Sequence, residues 1–170
     1  RWVNGEVQIL ADNNAADSSA DLTASSAAWK AINAADGTLV TPDGSGTTAG
    51  TLKMDWRTNK WVFATTVNAD AAGDHSCLFK DLAVDTGVGD AAKLLLQSLA
   101  LLPDAALTGD KIDASYGGDY FWHNNTQAER LPLRGGYWNV GSAVGVFSLH
   151  GCVRANTYWS IGGRCAFVKQ

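Results

Sequence analysis

The chain has few residues for metal or disulfide chemistry: three cysteines and three histidines among 170 residues. His75, His123 and His150 have no metal-ligand spacing, and no cysteine pair has the spacing of a zinc site. The odd number of cysteines leaves at least one thiol unpaired, and a Cys77–Cys165 bridge is compatible with the sequence without being established by it. No run of about 18 apolar residues is present, so we expect no membrane insertion.

Acidic residues are absent from the last part of the chain. Residues 130–170 contain five Lys and Arg and no Asp or Glu, whereas all 17 acidic residues lie before them. A carboxylate is the usual Ca²⁺ ligand and a common general acid or base, so this segment alone supplies neither function. Five positive charges spread over it are too few for a nucleic-acid interface, so we expect no nucleic-acid partner.

The length of the chain suits one domain, residues 1–170, with room for a sizeable core. The 18 glycines and only three prolines indicate much irregular backbone. Strand and helix patterns do not alternate as βα units, which argues against a parallel doubly wound sheet. The predicted fold class is therefore α+β with long irregular loops.

Local patterns predict the first half of the chain as follows. Trp2–Leu10 is predicted as a strand with an early Asn-Gly turn, and residues 29–37 as one helical turn ended by Gly37. Residues 41–50 have the composition of a loop. Residues 51–56 and 61–66 alternate with period two, which predicts a hairpin with Lys53 and Asp55 on the polar face of its first strand.

The second half contains one predicted helix. Residues 89–103 show an apolar stripe at helical spacing, with Asp90 as the cap and Pro103 as the end. The stripe consists of Ala91, Leu94, Leu95, Ser98, Leu99 and Leu102. Residues 73–77 are predicted as a turn before a strand over residues 77–84, and the chain from 104 to 130 as irregular, anchored by Tyr120, Phe121 and Trp122.

Several candidate sites have an ordinary structural interpretation beside the functional one. His75 and Cys77 could form a nucleophilic pair, since side chains two apart on a strand point the same way, but a turn histidine beside a buried cysteine explains them better. His123 is more simply a polar loop residue. The glycine-rich stretches match no phosphate-binding fingerprint, and their neighbours Arg134 and Arg164 are predicted to donate to several loop carbonyls.

Residues 134–167 read "RGGYWNVGSAVGVFSLHGCVRANTYWSIGGRCAF", in which chemically mixed residues interrupt a regular glycine and arginine frame. One interpretation is ordinary strands of mixed exposure, with Val146, Phe147, Leu149 and Ile161 in the core. The other is a binding surface on a rigid frame, because clustered exposed Tyr and Trp are common anchors of binding. The residues alone leave both interpretations open.

The frame "RLPLRGGYWNVGSAVGVFSL…R…IGGRCAFV" resembles that of the variable proteins of diversity-generating retroelements, which also occurs in phage-type tail and receptor-binding proteins. The segments "GTLKMDWRTNKWVFATT", "VGDAAKLLLQSLALLP" and "YGGDYFWHNNTQAERLPLRGG" are similar to that family as well. The resemblance covers roughly residues 35–170. It implies a C-type-lectin-like fold, related to the formylglycine-generating-enzyme type, with a variable region at about residues 134–168.

The resemblance also implies a function. In the family, a reverse transcriptase copies a template repeat with errors at adenines, and the copy replaces the variable region. The chain would be a non-enzymatic receptor-recognition domain on a virion or cell surface, with a protein or cell-surface ligand and no cofactor or metal; an oligomer is left open. The implied ligand-binding residues are Tyr137, Asn139, Val140, Ala143, Ser148, His150, Cys152, Asn156, Thr157, Tyr158 and Trp159. The alternatives are a formylglycine-generating-type enzyme, which needs a reactive cysteine pair, and a calcium-dependent lectin.

Overall fold

The computed structural model describes residues 1–11, 23–68, 70–104, 116–126, 128–135 and 144–155. These ranges contain eleven strands and one α-helix. The strands are β1 (Trp2–Val3), β2 (Glu6–Leu10), β3 (Trp29–Ile32), β4 (Leu39–Val40), β5 (Lys53–Arg57), β6 (Lys60–Ala64), β7 (Asp74–Leu78), β8 (Ala83–Val84), β9 (Tyr120–Asn124), β10 (Glu129–Arg134) and β11 (Leu149–Cys152). Helix α1 spans Asp90–Ser98, and a 3₁₀ turn spans Phe79–Asp81.

The strands form one mixed sheet in the order β7-β9-β11-β10-β1-β2-β5-β6-β8, and β3 pairs with β2 and β4 beside this path. Most pairs are antiparallel, whereas β11 runs parallel to β9 and β8 parallel to β6. A largely antiparallel sheet with one separate helix is the predicted α+β class, which is thereby confirmed. Among the described residues, no helix is long and apolar enough to cross a membrane.

Aromatic side chains form much of the core between the sheet, α1 and the 3₁₀ turn. Trp61, Phe63, Phe79 and Phe121 are fully buried. The Trp61 ring meets the Phe121 ring edge to face at a centroid distance of 6.0 Å, a geometry that aromatic pairs favour. The strand that carries Phe121 is thus fixed to the β5–β6 hairpin.

The hairpin predicted at residues 51–66 is confirmed as β5 and β6, with Trp56 opposite Trp61. Thr58 and Asn59 both have positive φ, 51° and 59°, as a two-residue primed turn requires. The predicted polar face differs from expectation, because Lys53 and Asp55 are buried as well. The loop of residues 41–50, which was predicted from its composition, covers Lys53.

Two buried charges, those of Glu6 and Lys53, tie this loop to the sheet through Thr48 and Thr51. Glu6 on β2 accepts hydrogen bonds from the Thr48 backbone N–H and the Thr51 hydroxyl, both at 2.9 Å. The ammonium group of Lys53 donates to the carbonyl oxygens of Thr48 at 2.8 Å and Thr51 at 3.0 Å. Burial lowers the pKa of Lys53, and the charge of Glu6 opposes this shift. Both buried charges are therefore satisfied, as burial of charge demands.

The helix differs from its prediction in its start, its end and its buried face. Gly89, without a side-chain cap, precedes the helix, and Asp90 is its first residue, bonded to Lys93 at 2.9 Å. The helix ends at Ser98, well before Pro103. Ala92 and Leu96 are its buried residues, whereas Leu94 is 63% exposed. Leucines occupy three successive positions, 94–96, so the pattern alone does not define which one faces the core.

Other predicted elements are corrected by strand pairing. Residues 29–32 form β3 and no helical turn, because β3 pairs with both β2 and β4. The Asn4-Gly5 turn is confirmed, although it divides the predicted strand into β1 and β2. The predicted turn at residues 73–77 lies mostly within β7, and the predicted irregular chain before Arg130 contains β9.

The helix register generates a matched test. Leu96→Ala should lower the free energy of unfolding by roughly 2–5 kcal/mol, because it opens a cavity in the core. Leu94→Ala, on the exposed face, should change it by no more than about 0.5 kcal/mol. Urea denaturation of the two variants measures both values. A larger loss in Leu94→Ala than in Leu96→Ala would contradict the observed register and favour the predicted stripe.

Candidate ligand-binding surface

The predicted ligand-binding residues divide into two groups. Those that lie outside the described residues are Tyr137, Asn139, Val140, Ala143, Asn156, Thr157, Tyr158 and Trp159. The other three, Ser148, His150 and Cys152, lie at or within β11. This strand pairs with β10 through four residue pairs and with β9 through two. The three described candidates therefore sit in the interior of the sheet order, between two neighbouring strands.

Ser148 and Cys152 are buried, 1% and 4% exposed, which corrects their expected exposure. The Ser148 hydroxyl accepts a hydrogen bond from the Gly145 N–H at 3.2 Å. The backbone carbonyl of Ser148 accepts one from the Gly135 N–H, also at 3.2 Å. Cys152 lies opposite Leu131 of β10. Both side chains fill space within the fold, so in this conformation they present no surface to a ligand.

His150 is half-buried and lies beside aromatic residues of β9. Its ring meets the ring of Trp122 at right angles with a centroid distance of 4.2 Å, and that of Tyr120 at 6.4 Å. Burial lowers the pKa of His150 to about 4, and the nearby positive charge of Arg130 contributes to the shift. At neutral pH the side chain is therefore an uncharged imidazole within an aromatic cluster.

The half-exposed residues Tyr120 and Trp122 were not predicted as part of a surface. In β9, Tyr120, Trp122 and Asn124 are partly exposed and alternate with buried Phe121 and His123. This period of two is visible in the letters "YFWHN", so strand alternation could have indicated that Tyr120 and Trp122 share a face. Their position beside His150 could not be read from the sequence, because it depends on the parallel pairing of β9 with β11.

His123 is a buried strand residue, which corrects its prediction as a polar loop residue. Its Nδ1 packs directly against Gly151 of β11, where a Cβ atom would collide with it. Burial, followed by the charge of Arg130, lowers the pKa of His123 to about 3. The glycine in β11 is thus required by close approach of the neighbouring strand.

Arg134, at the end of β10, confirms its predicted role as a donor to loop carbonyls. Its Nη1 donates to the Phe147 carbonyl at 3.1 Å, and its Nη2 to the carbonyls of Leu99 at 3.4 Å and of Ala100. One guanidinium group therefore joins the end of β10, the turn after α1 and the residues before β11. Arg164, for which the same role was predicted, lies outside the described residues.

Asp119 fixes the chain just before β11. Its carboxylate accepts a hydrogen bond from the Phe147 N–H at 2.8 Å. A Cβ atom at Gly145 would lie 2.5 Å from this carboxylate, so only glycine fits there. The Phe147 ring packs against Tyr116 at a centroid distance of 4.7 Å, which supports its predicted core role. Val146, also predicted in the core, is instead 80% exposed.

Glu129 fixes the chain just after β11. Its two carboxylate oxygens accept hydrogen bonds from Arg154 Nε at 2.9 Å and Nη2 at 2.8 Å, and Arg1 Nη1 donates at 2.7 Å. The bond to Arg154 lowers the pKa of Glu129, with Arg1 adding to the effect. Bidentate arginine–carboxylate geometry fixes direction as well as distance. The described segment 144–155 is therefore held at both ends.

The candidate nucleophile pair has the geometry of a packing contact. His75 stacks on Trp56 with a centroid distance of 4.5 Å, and burial raises the pKa of Cys77 to about 11. Cys77 is therefore a protonated free thiol at neutral pH, as is unfavourable for a nucleophile. Cys165, its possible partner, is outside the described residues. In the part of the chain that the structure describes, no group of three or more His, Cys, Asp or Glu could hold a metal ion.

Comparisons with known proteins give no family assignment. A scan against models of protein families finds no match, and a search of curated proteins finds no significant match. The resemblance noted from the sequence therefore stays a prediction, and the site rests on the geometry described above.

Acid should destabilise the fold through buried His123 and half-buried His150. Their folded pKa values, about 3 and 4, lie below the ordinary histidine pKa of about 6.5, so at intermediate pH the unfolded chain binds protons that the folded one does not. For buried His123, stability is complete above about pH 6.5 and decreases as the pH falls, by up to about 1.4 kcal/mol per pH unit. Half-exposed His150 contributes less, because solvent screens its interactions. Urea denaturation from pH 7 to 4.5 measures the slope, which His123→Leu should reduce. An unchanged slope would contradict this assignment.

The burial of Ser148 generates a second test. Ser148→Tyr should lower the free energy of unfolding by about 1–3 kcal/mol, because a large side chain overfills a packed site. His150→Tyr, at the half-exposed position two residues later, should cost less than about 1 kcal/mol, since exposed sites tolerate substitution. Thermal and urea unfolding of both variants distinguish the two positions. A tolerated Tyr at 148 would restore that residue to the ligand-binding set.

Proposed function

We propose that the chain is a non-enzymatic ligand-binding domain with a C-type-lectin-like fold, whose variable region at residues 134–168 is diversified by a retroelement reverse transcriptase. The partner class is a protein or another ligand on a cell surface, met at a virion or cell surface. The proposal rests on the sequence resemblance together with the roles of the frame residues in the structure.

The observation that carries the proposal is that described frame residues make internal contacts at the borders of the predicted variable positions. Arg134 holds the chain just before residues 136–143, and Asp119 holds it just after them through Phe147. Glu129 holds Arg154 immediately before residues 156–159. Side chains between such anchors can change without removing the contacts that fix the backbone.

The burial of Ser148 and Cys152 narrows the proposed ligand-binding set to nine residues. They are Tyr137, Asn139, Val140, Ala143, His150, Asn156, Thr157, Tyr158 and Trp159. His150 brings the unvaried aromatic residues Tyr120 and Trp122 to the edge of this set. Aromatic side chains lose little conformational entropy on binding, so this cluster suits a fixed contact beside changing ones.

A displayed library tests the separation between frame and variable positions. Randomising the nine positions should leave most members folded, with melting temperatures close to that of the parent, because the proposal places these side chains on the ligand-facing surface, where substitutions change stability little. A matched library randomised at the frame residues Arg134, Phe147, Leu149 and Arg154 should be mostly unfolded. Protease resistance of displayed members, read by sequencing, measures both. Equal losses in the two libraries would sink the proposal.

Selection of the same nine-position library on an immobilised protein, hen lysozyme, tests binding. The expected result is enrichment of sequences that bind with micromolar or better affinity.

The source genome tests diversification separately. A near-copy of the coding sequence for residues 134–168 that differs only at adenines, beside a reverse transcriptase gene, would support diversification. Failure to find such a repeat in the source genome would contradict that part of the proposal.

A further inference from the structure

A further apolar groove, of about 380 Å³, lies beside the frame residue Arg134. Its walls come from β2, β10 and the turn after α1, and its apolar lining includes Val7, Ile9, Leu99, Leu101, Leu131 and Pro132. The volume lies within the roughly 300–1,000 Å³ range of small-molecule pockets. None of the described ligand positions, Ser148, His150 and Cys152, lines the groove, whereas Arg134 lines it and is also a frame residue at the border of the variable region.

The charges at the groove have one sign. Two arginines, Arg1 and Arg134, line it, and its described lining contains no Asp or Glu. Arg1 is paired with Glu129 at 2.7 Å, but this carboxylate is shared with Arg154, so the charge of Arg1 is only partly compensated. The hydrogen-bond acceptors of Arg134 among the described residues are carbonyl oxygens only. A guanidinium stays charged in proteins, so Arg134 contributes a positive charge without a carboxylate partner in the described chain.

The apolar walls and the positive charge of Arg134 define the class of ligand that fits the groove. Burial of an aliphatic or aromatic tail against the leucines is favourable in proportion to the apolar area removed from water. A carboxylate at the rim gains a charge-assisted hydrogen bond from Arg134, which a neutral head group does not. A cationic head group meets two arginines and is repelled.

We infer that this groove binds a small amphipathic anion, with its carboxylate at Arg134 and its apolar tail between Leu99, Leu101 and Leu131. The same groove would disfavour the corresponding alcohol and amine. The carbonyl contacts of Arg134 hold its guanidinium in place before the ligand arrives, which limits the entropy lost on binding.

Isothermal titration calorimetry with three eight-carbon probes tests the inference on the unmodified chain. Octanoate should bind at least about tenfold more tightly than octan-1-ol, which corresponds to about 1.4 kcal/mol. Octyltrimethylammonium should bind most weakly of the three. The preference for octanoate should decrease as salt is raised from 50 to 500 mM, because part of the attraction is electrostatic.

Two matched leucine variants locate the site. Leu99, in the turn after α1, lines the groove and Leu94, within α1, does not, and both side chains are exposed. Leu99→Asp places a carboxylate at the rim and should weaken octanoate binding by at least about tenfold, or 1.4 kcal/mol. Leu94→Asp should leave it unchanged. Circular dichroism confirms that each variant is folded.

The binding measurements separate results that support the inference from results that overturn it. Octanoate selectivity that Leu99→Asp removes and Leu94→Asp retains supports the inference. Equal affinity for octanoate and octan-1-ol would overturn the anion preference, and absence of octanoate binding would show that the groove is filled or closed in solution, which overturns the site. These comparisons on the parent chain stand even if a variant fails to fold.

Discussion

The hydrogen bonds of β11 to its two neighbours attach the terminal part of the chain to the rest of the molecule. Antiparallel pairing with β10 sets His150 opposite Leu133, and parallel pairing with β9 sets it opposite Trp122. Because side chains alternate along a strand, this double register decides which residues face inward. The burial of Leu149, the half-exposure of His150 and the contact of Gly151 with His123 all follow from it.

The side chains around β11 differ in how much they contribute to holding the fold together. Arg134, Asp119 and Glu129 hold backbone or other fixed side chains, whereas His150 makes ring contacts on a partly open face. Ser148 and Cys152 occupy the interior although they interrupt the regular frame in sequence. The distinction between frame and inserted residues is therefore a guide to exposure that packing can override at single positions.

The sequence predicts the elements whose signal is local. The β5–β6 hairpin and the carbonyl-binding role of Arg134 depend on alternation, turn residues and the donor count of one side chain, all of which are visible in the letters. Pairing between distant segments is not. Residues 29–32 become a strand because β2 and β4 flank them, and His123 becomes buried because β11 lies against β9. The face of α1 was missed because leucine fills three successive positions.

The ion pair of Glu129 with Arg154 has a mechanical consequence. Hydrogen bonds of a sheet run across the strands, so a pull on the chain beyond Arg154, directed along β11, loads its bonds to β9 and β10 in shear. Glu129 lies on β10, so the salt bridge passes part of that tension to the adjacent strand before β11 itself is strained. A force applied to this end along β11 would therefore have to break the hydrogen bonds to both neighbouring strands at once. A force perpendicular to the strand would break them one after another.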